Sequence, residues 1–230
     1  MAEFLVALGA FLSAHLIPAS PRIRARLIDL MGRTPYLVAY SILSVALLGW
    51  LIVAAQRAES VVLWDAARWQ WQFAFLLMPV ATFFLVVGLL APNPLSISFR
   101  TGSEAGAIAS VTRHPIVWAF LIWSVAHIPP NGDLVSVILF GGMAMFSLLG
   151  FALLDAKARR RLGPDRWRIL AKRTSIIPFA ALLTGRTRLM NARSLILAGG
   201  IAAALYLWFI LQGHQLLIGL APLSTLRYFG

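Results

Sequence analysis

The chain contains no cysteine among its 230 residues. This absence excludes disulfides, thiolate metal ligands, iron–sulfur clusters and covalent attachment of c-type haem. Acidic residues are also scarce, with eight Asp and Glu against 20 Lys and Arg, which gives a formal net charge of +12. We find no Gly-rich phosphate loop, no Ser–His–Asp set and no paired carboxylates in the sequence. Hydrolase and nucleotide chemistry therefore have no support from the sequence.

Charged residues of both signs make up only 12% of the chain, whereas hydrophobic residues make up 60%. The mean hydropathy of +0.83 lies outside the range of soluble globular domains. The composition predicts an all-α, polytopic membrane protein, with membrane lipids as partners. Nucleic acid is not an expected partner, because the arginines lie between apolar runs, as in cytoplasmic loops. Glu3 replaces the basic region of a signal peptide, so we expect a retained first helix.

Six apolar stretches of helical length predict six transmembrane helices. They are residues 2–18, 35–56, 70–91, 116–128, 134–154 and 194–212. A basic segment, 155–193, separates the last two stretches. It predicts a surface helix over 155–168 and a re-entrant or interfacial piece over 173–183.

The distribution of Lys and Arg predicts the orientation of these helices. The first, third and fifth loops hold 17 of the 20 cations. Because cytoplasmic loops carry the excess of positive charge, both termini are predicted to lie outside the cytoplasm. The expected location is a bacterial inner membrane, with both termini periplasmic and residues 155–193 cytoplasmic.

Two of the four histidines flank one apolar helix in the stretch TRHPIVWAFLIWSVAHIPPNGD, residues 112–133. Pro115 follows His114 and suits the first position of a helix. The thirteen residues from His114 to His127 span roughly 20 Å, and the helical rotation turns the two rings to different faces. The two histidines therefore cannot bind one metal together.

His15 and His127 are ionisable residues inside predicted spans, which makes them candidate functional residues. Three interpretations stay open for each ring. It is a neutral imidazole bonded to a carbonyl of a neighbouring helix, a ligand of haem or another metal, or part of a proton relay. Zinc is disfavoured, because no carboxylate or third histidine lies at helical spacing.

Three further positions carry alternatives of their own. Ser124 precedes His127 by three residues on the same face, and its hydroxyl is expected to bond a carbonyl of its own helix. Arg113 and His114 are expected either to hold an anionic group or to be solvated residues of a cytoplasmic loop. His214 is expected to be a surface histidine beyond the last helix.

Three segments of the chain resemble the NnrU family of bacterial membrane proteins, which is itself similar to plant and cyanobacterial 15-cis-zeta-carotene isomerase. They are AHLIPASPRIRARLIDLMGRTPYLVAY at 14–40, TRHP with the later AH and NGD within 112–133, and KRTSIIPFAALLTGR at 172–186. The resemblance implies a single NnrU-like transmembrane domain over residues 1–230. It also implies haem b as cofactor.

In the isomerase, which turns a cis polyene double bond trans without net redox change, the haem-ligating histidines lie in two Ala-His motifs. By resemblance these are His15 and His127, which become the expected iron ligands and catalytic residues. The isomerase carries a cysteine three residues before the second histidine, proposed as an alternate iron ligand. Ser124 stands at that position here, so the chain departs from the pattern needed for thiolate exchange.

The depth of the two histidines makes His114 a second candidate. His15 lies about 5 Å and His127 about 18 Å from the predicted cytoplasmic ends of their helices. Ligands at equal depth would instead pair His15 with His114, so His127 is the first choice and His114 the second. Arg113 is expected to hold a haem propionate, because a guanidinium fork suits a carboxylate.

Two functions follow as expectations. The first is isomerase-like chemistry on a long apolar polyene that enters from the lipid. The second is a non-enzymatic haem- or lipid-binding accessory role in the expression of nitrite and nitric oxide reductases. A proton-coupled transporter would need more intramembrane carboxylates than this chain has. The oligomeric state stays open.

Overall fold

The computed structural model describes residues 1–16, 20–98, 100, 102, 106–189 and 192–227. Within these residues every regular element is a helix, and Val62 and Asp133 form an isolated antiparallel bridge. The helices are α1 (Ala2–Leu16), α2 (Pro21–Met31), α3 (Arg33–Arg57), α4 (Arg68–Leu90), α5 (Ile108–Val111), α6 (Pro115–His127), α7 (Leu134–Leu162), α8 (Pro164–Lys172), α9 (Ala180–Leu183), α10 (Ala192–Trp208), a π-helical segment (Phe209–Gly213), α11 (His214–Ile218) and α12 (Pro222–Arg227).

Four helical stretches of the described chain are long and apolar enough to cross a membrane. They are α3, α4, α7 and the continuous run Ala192–Ile218. The all-α class is thus confirmed, with four helices that could span a membrane. The two other apolar helices, α1 and α6, have 15 and 13 residues, short of the length of about 20 that a span needs. The count of six spans stays a prediction.

The boundary predicted at Leu154 is wrong, because α7 continues for two further turns to Leu162. No Gly or Pro occurs between Leu154 and Gly163, whose φ of 78° ends the helix, and Pro164 then begins α8. The surface helix predicted over 155–168 is therefore the end of α7 and the beginning of α8. Asp155, expected at a helix end, lies inside α7.

The last apolar helix also extends beyond its predicted end at residue 212. A π-helical segment, Phe209–Gly213, connects α10 to α11, so His214 begins a helical turn and does not lie beyond the helix. A Cβ at Gly213 would lie 2.6 Å from the ring of Trp208. The absence of a side chain at Gly213 lets this ring pack against the π-helical turn.

The chain divides into two compact units. The first contains Met1–Asp65 and Gly132–Leu139, and the second Ala66–Asn131 and Phe140–Gly230. The prediction of a single domain stays a prediction. In the first unit α1 packs on α3, and the Gly132 carbonyl accepts the amides of Leu63 and Trp64. Asp133 caps α7 by accepting the Ser136 amide at 3.0 Å.

In the second unit α4 packs against both α6 and α10. Gly88 allows the close approach of α4 to α6, because a Cβ there would lie 2.6 Å from Cγ1 of Ile116. The buried core of this unit is apolar, and its members are Phe84, Val86, Val87, Ile108, Val111, Ala119, Ala198 and Ala202. This packing fixes the start of α6, where Arg113 and His114 lie.

Candidate functional site

His127 ends α6 and is oriented by its own helix. Its Nδ1 lies 2.8 Å from the carbonyl oxygen of Trp123. A carbonyl can only accept, so Nδ1 donates, and in the neutral ring Nε2 carries the lone pair. The ring stacks on Phe140, with centroids 5.0 Å apart and planes inclined by 29°. This half-buried imidazole therefore presents a fixed tautomer in an aromatic setting.

His15 repeats this arrangement near the end of α1, in the first unit. Its Nδ1 lies 2.7 Å from the carbonyl oxygen of Phe11, one helical turn earlier. Its ring centroid lies 4.3 Å from that of Phe11 and 5.9 Å from that of Tyr40. The neutral ring again carries its lone pair on Nε2.

The expected carbonyl of a neighbouring helix is thus replaced, at both histidines, by the carbonyl four residues earlier in the same helix. A metal-bound histidine usually donates its other ring N–H to such an acceptor, which fixes tautomer and orientation. The donor chemistry of His15 and His127 therefore fits axial ligation of a haem iron through Nε2. Among the described residues, no group of three His, Cys, Asp or Glu side chains lies close enough to hold another metal ion.

Ser124 behaves as the sequence predicts. Its hydroxyl donates to the carbonyl of Phe120 at 2.7 Å, and the side chain is completely buried. The hydrogen bond turns the Ser124 hydroxyl toward the backbone of its own helix. It therefore does not orient the hydroxyl as a metal ligand.

Arg113 is neither solvated nor unpartnered. It is 8% exposed, and each of its three guanidinium nitrogens donates to an acceptor of the protein. Nη1 lies 2.6 Å from Oδ2 of Asp155, Nε lies 2.9 Å from the Thr174 hydroxyl, and Nη2 lies 3.1 Å from the Ala171 carbonyl. The expectation of a solvated loop arginine is wrong, and the contact with a haem propionate stays a prediction.

His114 is fully buried and uses both ring nitrogens. Nε2 lies 3.0 Å from Oδ1 of Asp155, so it donates to this carboxylate. Nδ1 lies 2.9 Å from the Ser96 hydroxyl, which donates to it in the neutral ring. The Ser, His and Asp that the sequence did not show as a set thus meet in space. Because Asp155 also pairs with Arg113, the array is a buried ion-pair network, which we name the Asp155 cluster (Ser96, Arg113, His114, Asp155 and Thr174).

The loop after α8 is held to the start of α6 by main-chain contacts. The Arg113 amide donates to the Ser175 carbonyl at 2.7 Å, and the indole N–H of Trp118 donates to the Ile176 carbonyl at 2.8 Å. The Phe179 amide donates to the Val111 carbonyl at 2.7 Å. The piece predicted as re-entrant or interfacial contains one short helix, α9, and its position relative to a membrane stays a prediction.

An apolar groove lies between α4 and α10. It has a volume of about 320 Å³. Its lining consists of apolar and small side chains, namely Pro79, Phe83, Gly199, Ala202, Ala203, Tyr206 and Leu207. The one hydroxyl in this lining, that of Tyr206, donates to the Phe75 carbonyl at 3.2 Å. The groove suits a hydrocarbon chain.

The family model for "NnrU protein" matches residues 3–222. The chain belongs to the NnrU family. It is 34% identical over 115 residues to 15-cis-zeta-carotene isomerase of Zea mays, and 33% identical over 112 residues to that of Arabidopsis thaliana. These alignments cover 50% and 49% of this chain but 30% and 29% of the isomerases, so the chain spans under a third of the curated relatives it matches. No solved structure matches the chain significantly.

In this NnrU chain the sequence-predicted residues lie in three places. Arg113 and His114 meet in the Asp155 cluster, and His127 and Ser124 lie a helix length away on α6. His15 belongs to the first unit. Sequence reasoning missed Asp155, although an acidic residue at the end of an apolar run is the expected partner of a buried arginine.

Proposed function

We propose that this NnrU-family protein is an integral membrane isomerase that uses haem b to interconvert cis and trans double bonds of a long apolar polyene. The observation that supports this proposal is the 34% identity to 15-cis-zeta-carotene isomerase over half of the chain. The name of that relative specifies a cis double bond in a polyene. Because the alignment covers only part of the relative, the substrate of this chain is proposed by class alone.

His15 and His127 would hold the haem iron, and catalysis would therefore depend on these two residues. Each ring donates Nδ1–H to the carbonyl four residues earlier, at 2.7 and 2.8 Å, which fixes the tautomer with the lone pair on Nε2. When bound, haem b would supply a redox-active iron whose electron exchange with the polyene lowers the barrier to bond rotation. The chain has no thiolate, so imidazoles supply the ligands in both redox states.

His114 is the weaker candidate for ligation. Both of its ring nitrogens already make hydrogen bonds, to Ser96 and Asp155. Ligation through His114 would leave the partly buried Asp155 carboxylate without one of its donors, which costs about 1–3 kcal/mol.

The groove between α4 and α10 is the proposed place of an apolar chain. Its volume of about 320 Å³ lies at the small end of ligand pockets. A long polyene would therefore place only one segment in the groove, with the rest in lipid.

The proposed topology has six spans, with α1 and α6 as the two short ones. Both termini would be periplasmic, in a bacterial inner membrane. The 17 of 20 cations in the first, third and fifth loops support this orientation. Reporter fusions after Gly230 and within residues 157–162 test it, and a cytoplasmic C-terminus would contradict it.

The proposed function is tested with the purified full-length protein and three histidine variants. We expect a haem b absorption spectrum that is low-spin in both redox states. We also expect the reduced protein to convert a 15-cis polyene to its trans isomer, with the products measured by chromatography. His15→Ala and His127→Ala should each lose the low-spin spectrum and the turnover. His214→Ala is the matched control, because its ring bonds the Leu220 carbonyl in the C-terminal segment.

Two results would contradict this proposal in different ways. A protein that binds haem fully but does not isomerise polyenes would contradict the enzymatic part and favour a haem-binding accessory role. A low-spin spectrum that survives His127→Ala but not His114→Ala would contradict the choice of ligands.

The groove is tested by Ala203→Trp, which fills it from an exposed position on α10. We expect lower turnover with an unchanged haem spectrum. Ile196→Trp is the control, since residue 196 is 74% exposed on the same helix and does not line the groove. Equal turnover in the two variants would exclude the groove.

A further inference from the structure

The segment from α8 to residue 189 contains a second cavity, of about 330 Å³. Its lining consists of one apolar residue, Ile169, and three cations, Lys172, Arg173 and Arg186. All three cationic side chains are exposed. We name this feature the basic cavity.

The three cations of the basic cavity have no acidic partner within the part of the chain that the structure describes. No carboxylate of the described residues forms an ion pair with any of them. Asp165, the acidic residue of α8, pairs with another cation, since its Oδ1 lies 3.9 Å from Nη1 of Arg168. The Nε of Arg186 donates to the Thr184 hydroxyl at 3.0 Å, which orients its guanidinium. Three exposed positive charges that line one cavity suit an anion.

The same segment presents apolar side chains to the outside. Ile177, Phe179 and Leu183 are 65%, 53% and 85% exposed. Their backbone is fixed, because the Thr112 hydroxyl donates to the Ile176 carbonyl at 2.8 Å and the Phe179 amide donates to Val111. Phe179 even adopts a left-handed φ of 65°, which is costly for a residue with a side chain. This hydrogen-bonded loop therefore exposes apolar groups along the chain between two cations of the basic cavity, Arg173 and Arg186.

We propose that the basic cavity binds the phosphate of an anionic phospholipid. Lys172, Arg173 and Arg186 would contact the phosphate oxygens, for which guanidinium and ammonium groups are the usual protein donors. Ile177, Phe179 and Leu183 would contact the acyl region, as apolar side chains do at a membrane surface. The exposed apolar groups favour a lipid over a soluble anion, because a soluble phosphate offers them no burial.

The proposal is tested by titrating the purified full-length protein, in neutral detergent, with short-chain phosphatidylglycerol and with the matching phosphatidylcholine. We expect tighter binding of phosphatidylglycerol, measured by native mass spectrometry. The triple variant Lys172→Gln, Arg173→Gln, Arg186→Gln should bind it about a hundredfold more weakly, since each of the three basic residues near a lipid surface contributes about a factor of five. Because these side chains are exposed, the melting temperature in neutral detergent should not change.

The control removes the same charge elsewhere, with Arg22→Gln, Arg24→Gln and Arg26→Gln on α2. This variant should keep the affinity for phosphatidylglycerol within about twofold. An equal loss in both triple variants would overturn the proposal in favour of unspecific attraction to net charge. Competition by inorganic phosphate at the concentration of the lipid would overturn it in favour of a soluble anion. Both outcomes are independent of haem and of isomerase activity.

Discussion

The two ends of α6 carry histidines in opposite circumstances. At the start, His114 is fully buried, and both of its ring nitrogens bond side chains from distant parts of the chain. At the end, His127 is half-buried, and its Nδ1 bonds only a carbonyl of its own helix. Removal of the His114 ring would therefore break two long-range hydrogen bonds, to Ser96 and Asp155. The His127 ring is oriented locally, which leaves its other nitrogen for a ligand role.

This difference separates structural from functional candidates. A residue whose partners are all protein groups contributes to stability, and its replacement should be felt in unfolding. A residue with only one ring nitrogen hydrogen-bonded to the protein should be replaceable with little loss of stability. The predictions below test whether the two ends of α6 differ in this way.

The largest effect is expected for Asp155→Ala. It leaves the buried Arg113 guanidinium and the His114 ring without their carboxylate, which costs about 3–5 kcal/mol when one partner of a buried pair is removed. The free energy of unfolding in a titration with denaturing detergent measures it. Asp165→Ala is the control, because the Asp165 side chain is 88% exposed and contacts only Arg168. A loss below 1 kcal/mol would mean that the Asp155 cluster is not structural.

Gly88→Ala should disturb the same end of α6 through packing. Its new Cβ would lie 2.6 Å from Cγ1 of Ile116 and 3.0 Å from Cγ of Pro115. Overpacking of this kind costs about 1–3 kcal/mol. Gly141→Ala on α7 is the matched control, since a Cβ there meets no atom within 4 Å. If both variants unfold alike, α4 and α6 do not approach as closely as described.

His114→Ala and His127→Ala compare the two ends directly. The first leaves Ser96 and Asp155 each short of a buried partner and should cost about 1–3 kcal/mol. The second removes one neutral hydrogen bond, to Trp123, and should cost about 0.5–1.5 kcal/mol. The unfolding titration should therefore rank His114→Ala as the less stable variant, while the haem spectrum ranks His127→Ala as the more damaged. The reverse ranking would refute the comparison.

Ser124→Ala should have the smallest effect, within about 0.5 kcal/mol. The hydroxyl donates only to the Phe120 carbonyl, which also belongs to the ladder of the helix. The haem spectrum should stay nearly unchanged. Ser124→Cys places a thiol at this position, and a redox-dependent change in its spectrum would indicate that sulfur can reach the iron. A large change with Ala would instead make Ser124 a direct participant.

The sequence predicts the helices well where apolar runs and breakers coincide. Pro115 and the turn after Ile128 placed α6 to within one residue of its observed end. The end of α7 could not be predicted in the same way, because the polar residues after Leu154 are good helix formers and only Gly163 stops the helix. The hydropathy of the sequence falls after Leu154, whereas the helix continues until the helix-breaking Gly163.

Local geometry at the candidate site was predictable, and long-range pairing was not. The bond from Ser124 to its own helix follows from spacing alone. The partners of Arg113 are separated from it by 42, 58 and 61 residues, so no periodicity points to them. Whether Arg113 is solvated or buried depends on which acidic residue packs against it in the folded chain. The position of Asp155 inside α7 decides this choice.

The separation of Arg113 from its partners also sets the order in which the protein can be built. At about 5–20 residues per second, synthesis reaches Thr174 roughly 3–12 s after Arg113. Throughout this interval α6 and α7 are already synthesised while the guanidinium lacks its last acceptors, Ala171 and Thr174. The start of α6 can therefore be locked only after the chain through Thr174 has left the ribosome. The buried arginine makes completion of the loop after α8 a condition for the final packing of this unit.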